Sequence, residues 1–291
     1  MTPAIDFDSG TEDPMQQSEG VSWGVADDIG RILLSRPERA NSLTLAASRA
    51  LVRAIDEVLE RKPRVVLLAA QGRIFCAGGN IDEFAAAGTA LDKLVDDILT
   101  PLHPALYRLA TAPLPVVAAV SGPVAGAGIG LALCADFVLG AASTTLRTGY
   151  AAIGLSPDAG ASYFLARRVG AMRAQQWLML SETIDAQRCL QHGVIDALYP
   201  DDGLADAAEA LVARLASAAG GSLAAIKTLC GGLPARGLQE HLALEQALLV
   251  ARAGSADARE GVRAFLEKRP PRFAGGQAES GVACGAGWHL P

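Results

Sequence analysis

The chain has 291 residues, 51% of them hydrophobic and 19% charged, which is enough for one large α/β core with a smaller annex and too apolar for a disordered chain. Its formal charge of -6 gives no general attraction to nucleic-acid phosphates or anionic membrane surfaces. The five cysteines are scattered without a C-x-x-C pair, and His241-Leu242-Ala243-Leu244-Glu245 lacks the second histidine of a zinc-protease helix, so reduced thiols and no metal site are expected.

Residues 1–20 are acidic and polar, with neither a basic start nor an apolar run, and read as a flexible arm on a cytoplasmic chain that no membrane span interrupts. Residues 23–27 and 31–35 are β-prone on either side of Asp28-Ile29-Gly30 and predict a hairpin. Leu45, Leu51, Val52, Ile55, Val58 and Leu59 line one face of a helix that Thr44 can cap and Pro63 ends. The run Val65-Val66-Leu67-Leu68-Ala69 predicts a strand buried on both faces. A second unit repeats the pattern, with a helix over 91–109 and a strand over 116–120. A third places a helix over 127–134 before a strand over 137–139.

From residue 201 the pattern is helical throughout, over 204–215, 222–229, 238–251 and 257–266. The expected organisation is therefore an arm (1–20), an α/β core (21–200), a helical annex (201–274) and a glycine-rich disordered tail (275–291).

Two glycine-rich turns each follow a buried strand: Gln71-Gly-Arg-Ile-Phe-Cys-Ala-Gly-Gly-Asn80 and Ser121-Gly-Pro-Val-Ala-Gly-Ala-Gly-Ile-Gly130. Residues without bulky side chains let backbone amides face a ligand closely. A dinucleotide site fits poorly, because Leu131 stands where the third glycine of G-x-G-x-x-G belongs, and no G-x-x-x-x-G-K-[ST] occurs. Gly20-Val-Ser-Trp-Gly24 matches a nucleophile elbow in letters only. A polar arm precedes it and a strand follows, so Ser22 is not read as a nucleophile.

Arg36-Pro-Glu-Arg-Ala-Asn-Ser-Leu43, Phe75-Cys-Ala-Gly-Gly-Asn-Ile81, Val120-Ser-Gly-Pro-Val-Ala-Gly-Ala-Gly-Ile-Gly-Leu131, Cys134-Ala-Asp136 and Ile153-Gly-Leu-Ser-Pro-Asp-Ala-Gly160 occur in the order seen in the crotonase (enoyl-CoA hydratase/isomerase) superfamily. The resemblance runs over residues 23–273. It implies an α/β spiral of repeated ββα units with a C-terminal helical trimerisation region, assembled as trimers or as hexamers made of two trimers. It also implies an acyl-CoA thioester as substrate, coenzyme A entering only as part of it, with no metal, flavin or nicotinamide cofactor. In this family the thioester oxygen lies between two backbone N–H groups, and the matching positions are Gly79 and Ala127.

The glutamates that family hydratases carry are absent, Gly130 and Tyr150 standing in their places, which leaves a two-carboxylate addition of water without its groups. One acid matches instead. Asp158 occupies the position from which isomerase branches move a proton, those shifting an enoyl double bond and those acting on phenylacetyl-type epoxides. Double-bond isomerisation with Asp158 as the single base is the activity expected. Aryl-CoA dehalogenases share this Asp but add a helping His where Tyr107 stands, with His103 one helical turn away. Hydroxyacyl-CoA hydrolases share it but carry a glutamate at the Tyr150 position. A catalytically silent homologue that binds acyl-CoA, a partner or RNA is a further alternative, RNA being disfavoured by the charge.

The residues also admit blander readings, Asp158 as a helix N-cap and Tyr150 as a core aromatic. By the same resemblance, Arg36, Arg39 and Arg73 are candidates for the CoA phosphates, while Lys268 and Arg269 lie where family members reach a neighbouring subunit's ligand. Ala40, Ala77, Asn80, Ile81, Tyr107, Gly126, Gly130 and Tyr150 would lie along the substrate path. Residues 81–89 are expected to be a mobile segment shaping the acyl pocket.

Overall fold

The computed structural model describes residues 15–273. They form two compact units that divide after Ala216, and each is described by itself.

The first unit is built on a seven-stranded sheet in the order β1-β2-β3-β4-β5-β7-β10. β1 (Gln16–Ser18), β2 (Val21–Ala26) and β3 (Ile29–Leu34) form an antiparallel edge. β4 (Val65–Ala70) and β5 (Val116–Val120) then continue it in parallel. The crossover from β3 to β4 is α1 (Leu45–Glu60). Thr44 caps it by accepting the Ala47 N–H at 3.1 Å, and Ala47, Leu51, Ala54, Ile55 and Val58 form its buried face. Burying each large aliphatic side chain is worth about 1.5–3 kcal/mol, which explains why this face and not intrinsic propensity fixes the helix on the sheet. All six residues of β4 are buried, as its unbroken apolar run requires.

The crossover from β4 to β5 runs through α2 (Ile81–Ala87), a short 3-10 turn and α3 (Leu91–Thr111). Residues 81–89, expected to be a mobile segment, are thus helical: the Asn80 side chain accepts the Glu83 N–H at 2.8 Å and starts the helix. After β5 come β6 (Pro123–Ala125), α4 (Ala127–Leu133) and β7 (Phe137–Ala141), the last parallel to β5. β8 (Thr145–Arg147) joins β6 in a separate three-stranded sheet, which β9 (Thr183–Asp185) completes. Between β8 and β9 lie α5 (Ala161–Val169) and α6 (Ala171–Leu180). α7 (Ala186–Gln191), β10 (Ala197–Tyr199) and α8 (Leu204–Ala216) close the unit, α8 packing on β4 and β5. The second unit contains α9 (Gly220–Gly231), α10 (Leu238–Ala253) and α11 (Ala256–Leu266).

The division falls after residue 216, whereas the change of sequence character falls at 201, because α8 belongs to the sheet it packs against. Residues 16–18, assigned to the arm from sequence, pair with β2. The rest of the expected arm, residues 1–14, and the expected tail lie outside the described residues. Ser22 sits in β2, is 8% exposed and bonds to the Ser35 hydroxyl, so the elbow-like letters hold a strand. Cys76, Cys134 and Cys189 are buried thiols, and Cys230 is exposed. No single helix among the described residues is long and apolar enough to cross a membrane.

One side chain ties the loop before α1 to the loop after β4. Asn41, 2% exposed, accepts the Arg36 N–H at 2.8 Å and donates to the carbonyls of Gln71 at 3.0 Å and Ile74 at 2.8 Å. Asn41→Ala strands one buried donor and two acceptors. It is expected to lower unfolding free energy by about 2–4 kcal/mol, read as a lower denaturant midpoint at unchanged slope.

Candidate active site

The site lies where the C-terminal ends of β4 and β5 release their glycine-rich turns, the edge at which parallel sheets present ligands. The two turns are laced together: Ala125 N–H donates to Cys76 O at 2.8 Å, and Cys76 pairs with Val124 as an isolated parallel bridge. Gly78 is needed at the crossing. Its φ is +87°, and a Cβ there would stand 2.9 Å from Ala125 O and 3.1 Å from the Gly126 Cα.

Gly79 forms an isolated parallel bridge with Leu43, in which Leu43 N–H donates to Gly78 O at 2.8 Å and Asn80 N–H donates to Leu43 O at 3.0 Å. Leu43 therefore uses the groups on either side of Gly79, and the Gly79 N–H is directed away from that ladder. Ala127 opens α4, where a first-turn N–H has no intrahelical acceptor, and is 4% exposed. Neither N–H has a protein acceptor among the described residues. The Gly79 nitrogen lies 4.0 Å from the point a Gly126 Cβ would occupy, so the two turns bring both donor segments together.

Asp158 precedes α5 without capping it. The cap position is Gly160, which makes no side-chain cap bond, so the N-cap reading of Asp158 falls. Its Oδ1 accepts the Tyr150 hydroxyl at 2.7 Å instead. Burial pushes the Asp158 carboxyl above the usual carboxylate range, an effect the Tyr150 hydrogen bond partly offsets. Burial and the neighbouring carboxylate push Tyr150 far above the usual phenol range, so it acts as a donor and not as an anion.

Cys76 was absent from the sequence candidates and His103 entered only as a neighbour of the Tyr107 helper position, yet both belong to this neighbourhood. The Cys76 thiol, pushed up to about 12 by burial, stays protonated and accepts the Gly78 N–H at 3.4 Å. His103, on α3, accepts the Ala159 N–H on Nε2 at 3.1 Å. No sequence periodicity marks either contact, since both depend on how separate segments come to face one another.

Other candidates have different surroundings. Asn80 is engaged as the α2 cap and donates to the Ser42 hydroxyl at 3.0 Å. Ala77 N–H donates to Ala40 O at 3.1 Å. The aliphatic stem of Arg36 covers Gly20 and its Nε lies 3.9 Å from Glu38. Arg39 and Arg73 are exposed, as are Ile81 and, at 59%, Tyr107. Lys268 is an exposed residue of the second unit. A cavity of about 410 Å³ opens beside Tyr150 and Pro157, lined mainly by Leu155, Ala166, Ala174, Leu178 and Met179. Among the described residues no group of three or more His, Cys, Asp or Glu side chains could hold a metal.

The family model described as enoyl-CoA hydratase/isomerase matches residues 24–277. A "Probable enoyl-CoA hydratase" of Rhodobacter capsulatus is 37% identical over 88% of this chain and 98% of its own length. The 1,2-epoxyphenylacetyl-CoA isomerase of Escherichia coli is 36% identical over 86% of this chain and 97% of its own. The crystal structure of an enoyl-CoA hydratase from Polaromonas sp. JS666 superposes with a TM-score of 0.81 at 31% identity, covering 87% of this chain and 99% of that one.

Tyr150→Phe deletes the hydrogen bond that favours the ionised carboxylate. The Asp158 titration, followed by carboxyl ¹³C NMR, is expected to move further upward in this variant, because the burial that raises it is then less opposed.

Proposed function

The chain belongs to the enoyl-CoA hydratase/isomerase family, and on that premise we propose that it shifts the double bond of an enoyl-CoA thioester with Asp158 as its single base. The observation that carries this reading is steric. A Cβ at Gly130 would stand 1.9 Å from Ala159 O, so no carboxylate can occupy the first of the two hydratase positions without moving the turn that holds Asp158. The second position is Tyr150, whose hydroxyl is committed to Asp158.

In the proposed reaction the Asp158 carboxylate removes a proton from C2 of a 3-enoyl thioester. The electrons pass into a dienolate whose oxygen accepts the N–H groups of Gly79 and Ala127. Asp158 then returns the proton at C4, leaving the conjugated 2-enoyl thioester. Fixed backbone donors stabilise the developing oxyanion without reorganising, worth about 3–4 kcal/mol each by comparison with other oxyanion holes. A carboxylate raised by burial is also a stronger base than an exposed one, which favours removal of a weakly acidic carbon-bound proton.

Coenzyme A enters this scheme only within the substrate. Arg36, Arg39 and Arg73 remain the candidates for its phosphates, with Lys268 proposed to reach the ligand of a neighbouring subunit. A homotrimer, or two paired into a hexamer, is the proposed assembly. The exposed Leu238, Leu249, Phe265 and Leu266 of the second unit offer apolar surface for such contacts. Hydration is the competing reading, favoured by the name of the 37% identical relative.

A panel of 3-enoyl-CoA esters separates the two. Conjugation is expected to appear as rising absorbance of the 2-enoyl thioester, and Asp158→Asn to slow it by about 10²–10⁴-fold while calorimetric affinity for the ester is kept. No conjugation at any chain length, together with consumption of 2-enoyl-CoA by water, would establish hydration. Binding without turnover of either ester would establish a silent acyl-CoA-binding homologue.

A further inference from the structure

Asp158 is carried on a turn that L-residues adopt reluctantly. Ala159, immediately after it, has φ +47°, and Gly160 follows with φ +75°. A non-glycine residue in the left-handed region costs about 1–2 kcal/mol and persists only where its surroundings over-determine it. Several contacts do so here. Asp158 O accepts the Ala161 N–H at 2.8 Å, Ala159 O is pressed against the Gly130 backbone, and the Phe164 ring covers Gly160. The Ala159 N–H is held by a side chain from another element, the Nε2 of His103 at 3.1 Å.

We propose that His103 is a positioning residue: by accepting the Ala159 N–H it locks the left-handed turn that aims the Asp158 carboxylate at the substrate and at the Tyr150 hydroxyl. The proposal deepens the isomerase reading and rests on Asp158 being its base. The hydrogen bond of His103 is to the backbone beside Asp158, while the Asp158 carboxylate accepts from Tyr150. The bond requires the lone pair on Nε2, which puts the ring proton on Nδ1 in the neutral tautomer. Ala159 is 2% exposed. If His103 is removed, a buried donor is left to find another partner, and the backbone escape is rotation of Ala159 out of the left-handed region. That rotation swings the residue bearing the base, and a displacement of about 1 Å at a reacting group is enough to cost about 10²-fold in rate.

Two variants and two readouts test this. His103→Ala removes the acceptor. His103→Gln places a carbonyl oxygen at a similar distance along the side chain and restores it. His103→Ala is expected to lower kcat for the 3-enoyl ester by about 10²-fold at unchanged KM, with His103→Gln returning to within a few-fold of wild type. Crystal structures of the same proteins are expected to show Ala159 leaving positive φ and Asp158 parting from Tyr150 in the Ala variant, both restored in the Gln variant. An Ala variant with wild-type kcat and an undisturbed Asp158–Tyr150 pair overturns the proposal. So does equal loss of kcat in both variants, which would make the imidazole itself the reacting group. If the wild type turns over no 3-enoyl ester, the isomerase reading fails alone. The crystallographic arm then still decides whether His103 holds the turn.

Discussion

The lacing of two glycine-rich turns across the ends of adjacent parallel strands is the constraint on which the rest of the site depends. β4 and β5 are held in register by the ladder from Val66–Val116 to Leu68–Ala118, and that register sets Cys76 opposite Val124 and Gly78 against Gly126. Backbones this close leave no space for side chains, and the small residues exist to permit the approach. One consequence is that the N–H groups of Gly79 and Ala127, in neighbouring segments, stand without protein acceptors among the described residues. Unpaired donors are costly in a folded protein unless water or a ligand satisfies them, so their placement is itself a functional signal.

The same packing decides which carboxylate chemistry the site can hold. Gly130 is the third residue after Ala127 in α4, and the turn bearing Asp158 rests on it, with Ala159 O occupying the space a side chain would need. Presence of Asp158 at its place and absence of a glutamate at position 130 are therefore one structural fact. The named relatives include a probable hydratase at 37% identity and an isomerase at 36%, so overall identity does not separate the two activities.

Asp158 also carries an energetic cost. Its folded-state pKa lies above the unfolded value because burial disfavours the charged form. The fold accordingly loses stability as pH rises from the unfolded carboxylate range through the folded pKa. Tyr150 reduces that cost by donating to the carboxylate, at the expense of a hydroxyl that cannot ionise there.

Much of this was legible in the sequence. The α1 stripe, the all-apolar β4, the two glycine turns and the Pro157-Asp158 pair are local patterns, set by helical or strand periodicity and by where a small residue must stand. The short strands β6, β8, β9 and β10 were not legible, being only three residues each and too short for any period to show. The order in segment 81–89 was not either, because its start is set by the Asn80 cap and not by an apolar stripe. By itself the sequence determined that two amide-bearing turns each follow a buried strand and that one acid comes after them in a fixed order. Only the tertiary structure decided that Asp158 bonds to Tyr150 and does not cap α5, that Gly130 leaves no room for a second acid, and that His103 reaches Ala159 from 56 residues away. Such contacts depend on the packing of separate elements, for which no local spacing of residues carries a signature.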